Sequence, residues 1–494
     1  MRGTGGRASA RPLVVARIFC AAITFLIPMT LARLLILEEY GTFKQFFLLS
    51  HTLYFALAMG IPQSLYFFLP RSEQVERRAF LGQTHLYLLA AGGLATVALT
   101  FATQLVAWVG GEALVALRLP MAIYCGFLLA SGALEAGLTA QGRIRQAAFT
   151  YVGSDSVKML AYVVPALLGY GLAGVIWGAA LFAFLRTVAS WLTLVAPLEG
   201  PLFRRELIPR QVRYSLPFGG AMLLAMPQQQ LHQYVVSVTS SPAVFAIYSV
   251  GCFNLPVVDL LYTPTTELLM YQIGEEERQR RPASGAIRLF RDAVSKLSYA
   301  FLPLAAGVFV IAPQLLTILY TDRFIAATPI LRVALVSVIL ACLPVEGVLR
   351  AKDRTRSLFW IYVAKVAFSV PLILGLASRM GPIGAMTGFV LAEAATKGLL
   401  LLIAARALAP QAPPKGLLRG SLAAIAEVIP ARAVLRAGGA ALAAALLAHW
   451  AQAIYPLTPL ASFLVVGTFF WFAYALSLLL VGVRPAAVLS QIRS

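Results

Sequence analysis

Gly171-Leu-Ala-Gly174-Val-Ile-Trp-Gly178 opens an apolar run that continues to Pro197, and Gly381-Pro-Ile-Gly384-Ala-Met-Thr-Gly388 opens another 210 residues later. Arg186 is the one charged residue between Gly171 and Pro197. A run of this kind exceeds the roughly 20 residues that a helix needs to cross a hydrocarbon core. Glycines at helical spacing let two helix backbones approach closely in lipid, so they mark architecture rather than chemistry. Two such runs at a fixed offset are the mark of an internal repeat.

Other echoes extend the repeat. Thr103-Gln104-Leu105 matches Pro313-Gln314-Leu315, and Phe149 matches Phe359, at the same offset. Arg143 and Arg145 match Arg354 and Arg356 with a slip of one residue. Tyr40-Gly41-Thr42-Phe43 faces Phe245-Ala246-Ile247-Tyr248 at an offset of 205, the difference being taken up by a longer loop at 272–292. Apolar spans recur near 13–36, 43–69, 80–109, 114–138, 147–169, 171–197, 214–237, 243–271, 293–320, 327–350, 357–377, 382–408, 437–456 and 458–482.

The pattern predicts an all-α polytopic membrane protein with about fourteen transmembrane helices. Residues 1–197 and 214–408 read as two six-helix bundles, and 437–494 as two additional helices with a tail. Linkers at 198–213 and 409–436 read as cytoplasmic. Six is an even number, so the two bundles share one orientation, and the expectation is an axis along the membrane normal with a cavity between them.

Composition agrees. Of 494 residues, 60% are hydrophobic and only 12% charged, against about 25% charged in soluble proteins. The mean hydropathy is +0.81. With the N-terminus inside, 26 Lys and Arg fall in cytoplasmic segments and two, Arg323 and Arg379, in outer loops. That asymmetry places both termini in the cytoplasm. The run from Leu13 to Leu37 is too long for a signal peptide and holds Arg17 and Arg33. The excess of 40 basic over 20 acidic residues sits in short loops between spans, which argues against nucleic acid as a partner.

No catalytic or cofactor motif is present. Cys20, Cys125, Cys252 and Cys342 are scattered through apolar spans, with no metal-ligand spacing. There is no P-loop, H-E-x-x-H or G-x-S-x-G. The chain reads as a transporter without metal or cofactor, not an enzyme.

Ionisable residues deep in the spans are the functional candidates, because each costs about 2.5–3.5 kcal/mol at a helix centre. The first half holds Arg17, His51, Glu135, Asp155, Lys158 and Arg186. The second holds His232, Asp259, Glu267, Glu346, Lys365, Glu393 and Lys397. Asp155 with Lys158, and Glu393 with Lys397, have the spacing of same-face helical pairs. Arg17, Arg186, Lys365 and His232 read as unpaired. A cavity lined by cations suits a phosphate or pyrophosphate headgroup. The expected substrate contacts are Arg17, His51, Lys158, Arg186, His232, Lys365 and Lys397. The expected ion-coupling or gating residues are Asp155, Asp259, Glu267 and Glu393. Asp155 and Lys365 share a repeat position and are expected to meet across the cavity.

The run Glu38-Glu39-Tyr40-Gly41-Thr42-Phe43, leading to Gly60 and Phe68-Leu69-Pro70-Arg71, resembles the start of bacterial polysaccharide (O-antigen) flippases of the multidrug/oligosaccharidyl-lipid/polysaccharide exporter superfamily. So do Ile318-Leu319-Tyr320 through Ala326-Ala327-Thr328-Pro329-Ile330-Leu331, at the ninth-to-tenth helix turn, and Gly381-Pro382-Ile383-Gly384-Ala385, at the start of the twelfth helix. The resemblance covers most of residues 13–408. It implies an inverted V of two six-helix bundles in the bacterial inner membrane. It also implies alternating access and an undecaprenyl-pyrophosphate-linked oligosaccharide as substrate, with other membrane proteins of polysaccharide assembly as partners. Related lipid II flippases rely on first-helix arginines, for which Arg17 is the nearest match. Two departures stand out. Tyr320-Thr321-Asp322 replaces a turn that often reads Phe-Gly, and Lys44 and His51 stand where relatives carry a second-helix arginine. A drug or metabolite antiporter of the same fold and a membrane-embedded sugar-transferring enzyme remain the alternative readings.

Overall fold

The computed structural model describes residues 11–253, 255–409, 417–454 and 458–484, without the side chains of 11–15, 17, 18 and 417–422. Every regular element in this part is helical. Packing divides the chain into two compact units, Met1–Ala246 and Ile247–Ser494.

The first unit contains α1 (Arg11–Leu34), α2 (Leu37–Ala58), α3 (Ile61–Phe68), α4 (Gln74–Phe101), α5 (Thr103–Ala116), α6 (Arg118–Ala130), α7 (Leu134–Ala140), α8 (Ile144–Leu167), α9 (Gly171–Leu194) and α10 (Leu207–Thr239). After α11 (Pro242–Gly251), in which the division falls, come α12 (Pro256–Arg278), α13 (Ala283–Tyr320), α14 (Thr328–Leu340), α15 (Val345–Ala351), α16 (Thr355–Leu408), α17 (Leu417–Val428), α18 (Ala431–Ile454) and α19 (Pro459–Leu480).

Eight of these segments are long and apolar enough to cross a membrane, or up to ten if each of two bent pairs is one span. The reading of fourteen divides α16 at Gly381, where the backbone turns to φ 59°, and adds α1, α8 and α10. In α8 and α10 the apolar character is diluted by Asp155 and Lys158 and by a run of glutamines. Large side chains such as Phe101, Leu168, Leu442 and Phe472 stand exposed, the expected outward face of helices solvated by lipid.

The repeat is written in the backbone. In the first unit α6 breaks at residues 131–133 before α7, and in the second α14 breaks at 341–344 before α15. Both pairs consist of a 13-residue and a 7-residue helix. Left-handed residues recur too: Gly171 and Gly381 at φ 56° and 59°, Gly142 and Asp353 at 74° and 52°. Gly111 (φ 64°, ψ −166°) is mirrored by Thr321 (φ 96°, ψ 166°).

The glycine runs serve close packing. A Cβ on Gly178 would sit 1.9 Å from the carbonyl oxygen of Ala161, and one on Gly384 would sit 2.0 Å from that of Leu376. Either clash would force neighbouring helices apart. The C-terminal helices follow the same logic: Ala437, Ala440, Ala441, Ala444 and Ala448 form a buried small-residue face of α18, packed with α13 and α19.

Helix α10 is fastened to the first unit along its length. Near its start, Gln211 Nε2 donates to Ser64 Oγ and Thr84 Oγ1, both at 2.8 Å, and Gln211 Oε1 accepts from Gln83 Nε2 at 2.7 Å. Midway, Tyr234 donates to Thr52 and Thr52 to Gln230, at 2.6 and 2.7 Å. Near its end, Ser237 Oγ donates to the Val109 carbonyl at 2.6 Å, which also accepts from Gln45. Buried amides and hydroxyls satisfied in this way hold a helix in register where apolar contacts alone would let it slide.

Candidate functional site

Among the described residues, four ion pairs lie within the apolar helices, two in each unit. In the first, Lys158 bonds Asp155 at 2.5 Å one turn away on α8. Arg186 of α9 reaches Glu135 of α7 at 2.5 Å, Ser154 Oγ of α8 at 2.6 Å and Ser131 Oγ at 3.2 Å. Ser131 lies at the break between α6 and α7. One guanidinium therefore ties α9 to α7, to α8 and to the broken segment.

The second unit repeats this device. Lys397 of α16 bonds both carboxylate oxygens of Glu346 on α15, at 2.8 and 2.9 Å. It also donates to the Leu343 carbonyl at 3.3 Å, at the break between α14 and α15. Tyr262 of α12 donates to the same carboxylate at 2.7 Å, and Tyr362 does so at 3.3 Å. Tyr54 of α2 supplies an aromatic hydroxyl near Glu135 and Arg186 in the first unit. The fourth pair, Lys365 with Glu393, joins the two sides of the Gly381 break in α16.

These contacts correct the sequence reading. Arg186 and Lys365, expected as unpaired cations, each hold a carboxylate. Lys397 pairs with Glu346 rather than with Glu393 one turn away. Asp155 and Lys365, expected to meet each other, each have a partner inside their own unit. The physical reason is desolvation: a buried charge without a counter-charge costs several kcal/mol, so cations in apolar spans collect the nearest carboxylates. Each of these clusters sets a cation against a carboxylate.

The remaining candidates stand apart from these clusters. His232 is buried and hydrogen-bonded to the Gln229 backbone. His51 is exposed, its ring edge-on to Phe55 at 5.6 Å. Asp259 and Glu267 lie exposed on α12, with no ion-pair partner among the described residues. Arg17 lies on α1, and its side chain lies outside the described residues. Among the described residues no group of three or more His, Cys, Asp or Glu is placed to hold a metal.

Sequence reasoning placed Glu135 and Glu346 among the deep ionisable candidates but gave neither a substrate or gating role, although the signal was available. Glu135 and Glu346 differ by 211 positions, as do Arg186 and Lys397. Pairing acids with bases by shared repeat offset, instead of by helical turn, selects both contacts.

A family model described as "Polysaccharide biosynthesis protein" matches residues 30–329. The chain is similar in structure to one described as "Lipid II flippase MurJ, inward closed conformation", with a TM-score of 0.73 and 13% identity, over 95% of this chain and 97% of that one. It is also similar to a MOP superfamily transporter from Pyrococcus furiosus, with a TM-score of 0.51 and 14% identity, over 81% and 94%. At these identities the likeness is one of fold. No curated protein matches the sequence.

Proposed function

We propose, from the premise that this chain belongs to the polysaccharide biosynthesis protein family, that it moves a lipid-linked oligosaccharide across the membrane. The substrate we favour is an undecaprenyl-pyrophosphate-linked O-antigen, capsule or exopolysaccharide unit. The setting would be a bacterial inner membrane with both termini cytoplasmic, alongside other membrane proteins of polysaccharide assembly. The observation that carries the reading is the doubled clamp: each unit has a broken helix whose break is held by a cation bonded to a carboxylate, Arg186 with Glu135 and Lys397 with Glu346. Helix breaks are where a span can bend, and an ion pair at the break is a contact that an anion can compete for. A pyrophosphate is a strong bidentate partner for Arg186 and a point-charge partner for Lys397. On its arrival the displaced carboxylate takes up a proton or cation, and the break is free to move. Binding is thereby linked to bending, as alternating access requires.

The test is reconstitution in liposomes carrying a fluorescent polyprenyl-pyrophosphate oligosaccharide, with headgroup accessibility on the opposite leaflet as the readout. Protein-dependent transfer that falls in Arg186→Ala and Lys397→Ala supports the reading. Transfer at the wild-type rate in both variants removes the clamps from it.

A second reading has one observation in its favour. Asp259 and Glu267 on α12, exposed and without an ion-pair partner among the described residues, would suit an organic cation exchanged for protons or sodium, as in an antiporter of the same fold. Uptake of such a cation under an imposed gradient, with no transfer of any lipid-linked glycan, would put that reading first.

A further inference from the structure

A strip of amides interrupts the apolar character of α10. Its middle reads Pro227-Gln-Gln-Gln-Leu-His-Gln233. From Tyr214 to Thr239 the helix has no Asp, Glu, Lys or Arg. Two of the four glutamines are committed to the fold. Gln228 Nε2 donates to the Leu224 carbonyl at 3.3 Å, and Gln230 Oε1 accepts from Thr52 at 2.7 Å. The other two differ. Gln229 is exposed, Gln233 is half-buried, and neither side chain has a hydrogen-bond partner among the described residues. Four positions apart, they share one face of the helix.

An amide carries one acceptor and two donors, and without partners it is strongly disfavoured in hydrocarbon. This edge of α10 therefore faces water or a polar ligand, not lipid tails. Exposed His51 of α2 precedes Thr52, whose hydroxyl bonds Gln230, so α2 and α10 meet one residue along from His51 and from Gln229. Its imidazole adds a further donor and acceptor. This stretch of α10 carries no fixed charge to select a phosphate or an organic cation. Hydroxyls, which donate and accept at once, are the groups that amides complement.

We propose that Gln229, Gln233 and His51 form a subsite on the first unit that binds the sugar hydroxyls of the cargo. The proposal rests on the transport reading above and assigns the saccharide end of the substrate, separate from the ion pairs that engage its phosphates.

The test compares two fluorescent probes in liposomes: a polyprenyl pyrophosphate bearing a neutral hexose trisaccharide, and the same lipid without sugar. Gln229→Ala with Gln233→Ala places good helix formers at accessible positions, so folding is retained. Gln228→Ala, which loses only a backbone contact, is the control. The double variant is expected to slow the trisaccharide lipid roughly tenfold, the worth of one or two lost hydrogen bonds, and to move the sugar-free lipid at the wild-type rate. Equal slowing of both probes, or of neither, overturns the subsite. Calorimetric titration of the detergent-solubilised protein with the trisaccharide lipid separates the two hypotheses. If wild type transports neither probe yet binds the sugar-bearing lipid more tightly than the double variant does, the subsite stands and the transport reading falls. If binding is equal as well, the subsite falls too.

Discussion

Glu135 and Glu346 hold the same place in the two halves of the chain: each stands on the short helix after a break, and each neutralises a cation 51 residues further on, Arg186 at 2.5 Å and Lys397 at 2.8 Å. The duplicated contact joins α7 to α9 and α15 to α16. Its chemistry is not identical in the two. The first half uses a planar guanidinium with serine partners, the second an ammonium with two tyrosines.

Removing one member of such a pair strands the other. Glu346→Gln is expected to lower stability by about 3–5 kcal/mol, because Lys397 is left uncompensated. Replacing both, as Glu346→Met with Lys397→Met, should recover most of that loss while abolishing transport. Denaturant midpoints of the solubilised protein, set beside liposome transfer rates, check both halves of the statement.

Exchanging Asp155→Lys with Lys365→Asp should inactivate the protein. The new lysine at 155 would face Lys158, and the new aspartate at 365 would face Glu393, placing like charges together twice. Activity retained in the exchange variant would mean that residues 155 and 365 meet each other in a working state.

Thr321 is a β-branched residue held at φ 96°, with its Oγ1 buried and unsatisfied. The equivalent place in the first half is Gly111. Strain of this kind is worth about 1–3 kcal/mol. Thr321→Gly is expected to raise the melting temperature, and Gly111→Thr to lower it. A melting temperature unchanged in Thr321→Gly would show the strain to be relieved elsewhere.

Gln211 satisfies Ser64, Thr84 and Gln83 together. Gln211→Leu should cost about 1–3 kcal/mol for the buried groups left unpaired. The loss should also loosen α10, seen as faster hydrogen exchange in Leu207–Thr239 ahead of α4.

Most of the helical architecture is legible in the sequence because lipid imposes a simple rule on it: long apolar runs separated by short basic loops. The repeat is legible too, since Gly171 and Gly381 stand where the backbone turns to positive φ, and Gly178 and Gly384 where packing tolerates nothing larger. The breaks are less so. Pro344 signals the second, whereas Ser131-Gly132-Ala133 gives little warning of the first. Spacing within one helix identifies Asp155 with Lys158, but it misses the other three pairs, whose contacts run between helices or across the Gly381 break. Lys397 lies one turn from Glu393 and bonds Glu346 instead, where its ammonium also reaches the Leu343 carbonyl.

The fastening of α10 has a consequence for synthesis. A nascent chain that has emerged only as far as Pro197 lacks Gln211, Gln230, Tyr234 and Ser237, so Gln83, Thr84, Thr52 and Gln45 wait without their α10 partners. Closure of the first unit must await translation through Thr239, about 40 residues later, or roughly 2–8 s at ordinary elongation rates. During that interval the unfinished half exposes polar side chains to lipid, which makes it a natural client for the insertion machinery.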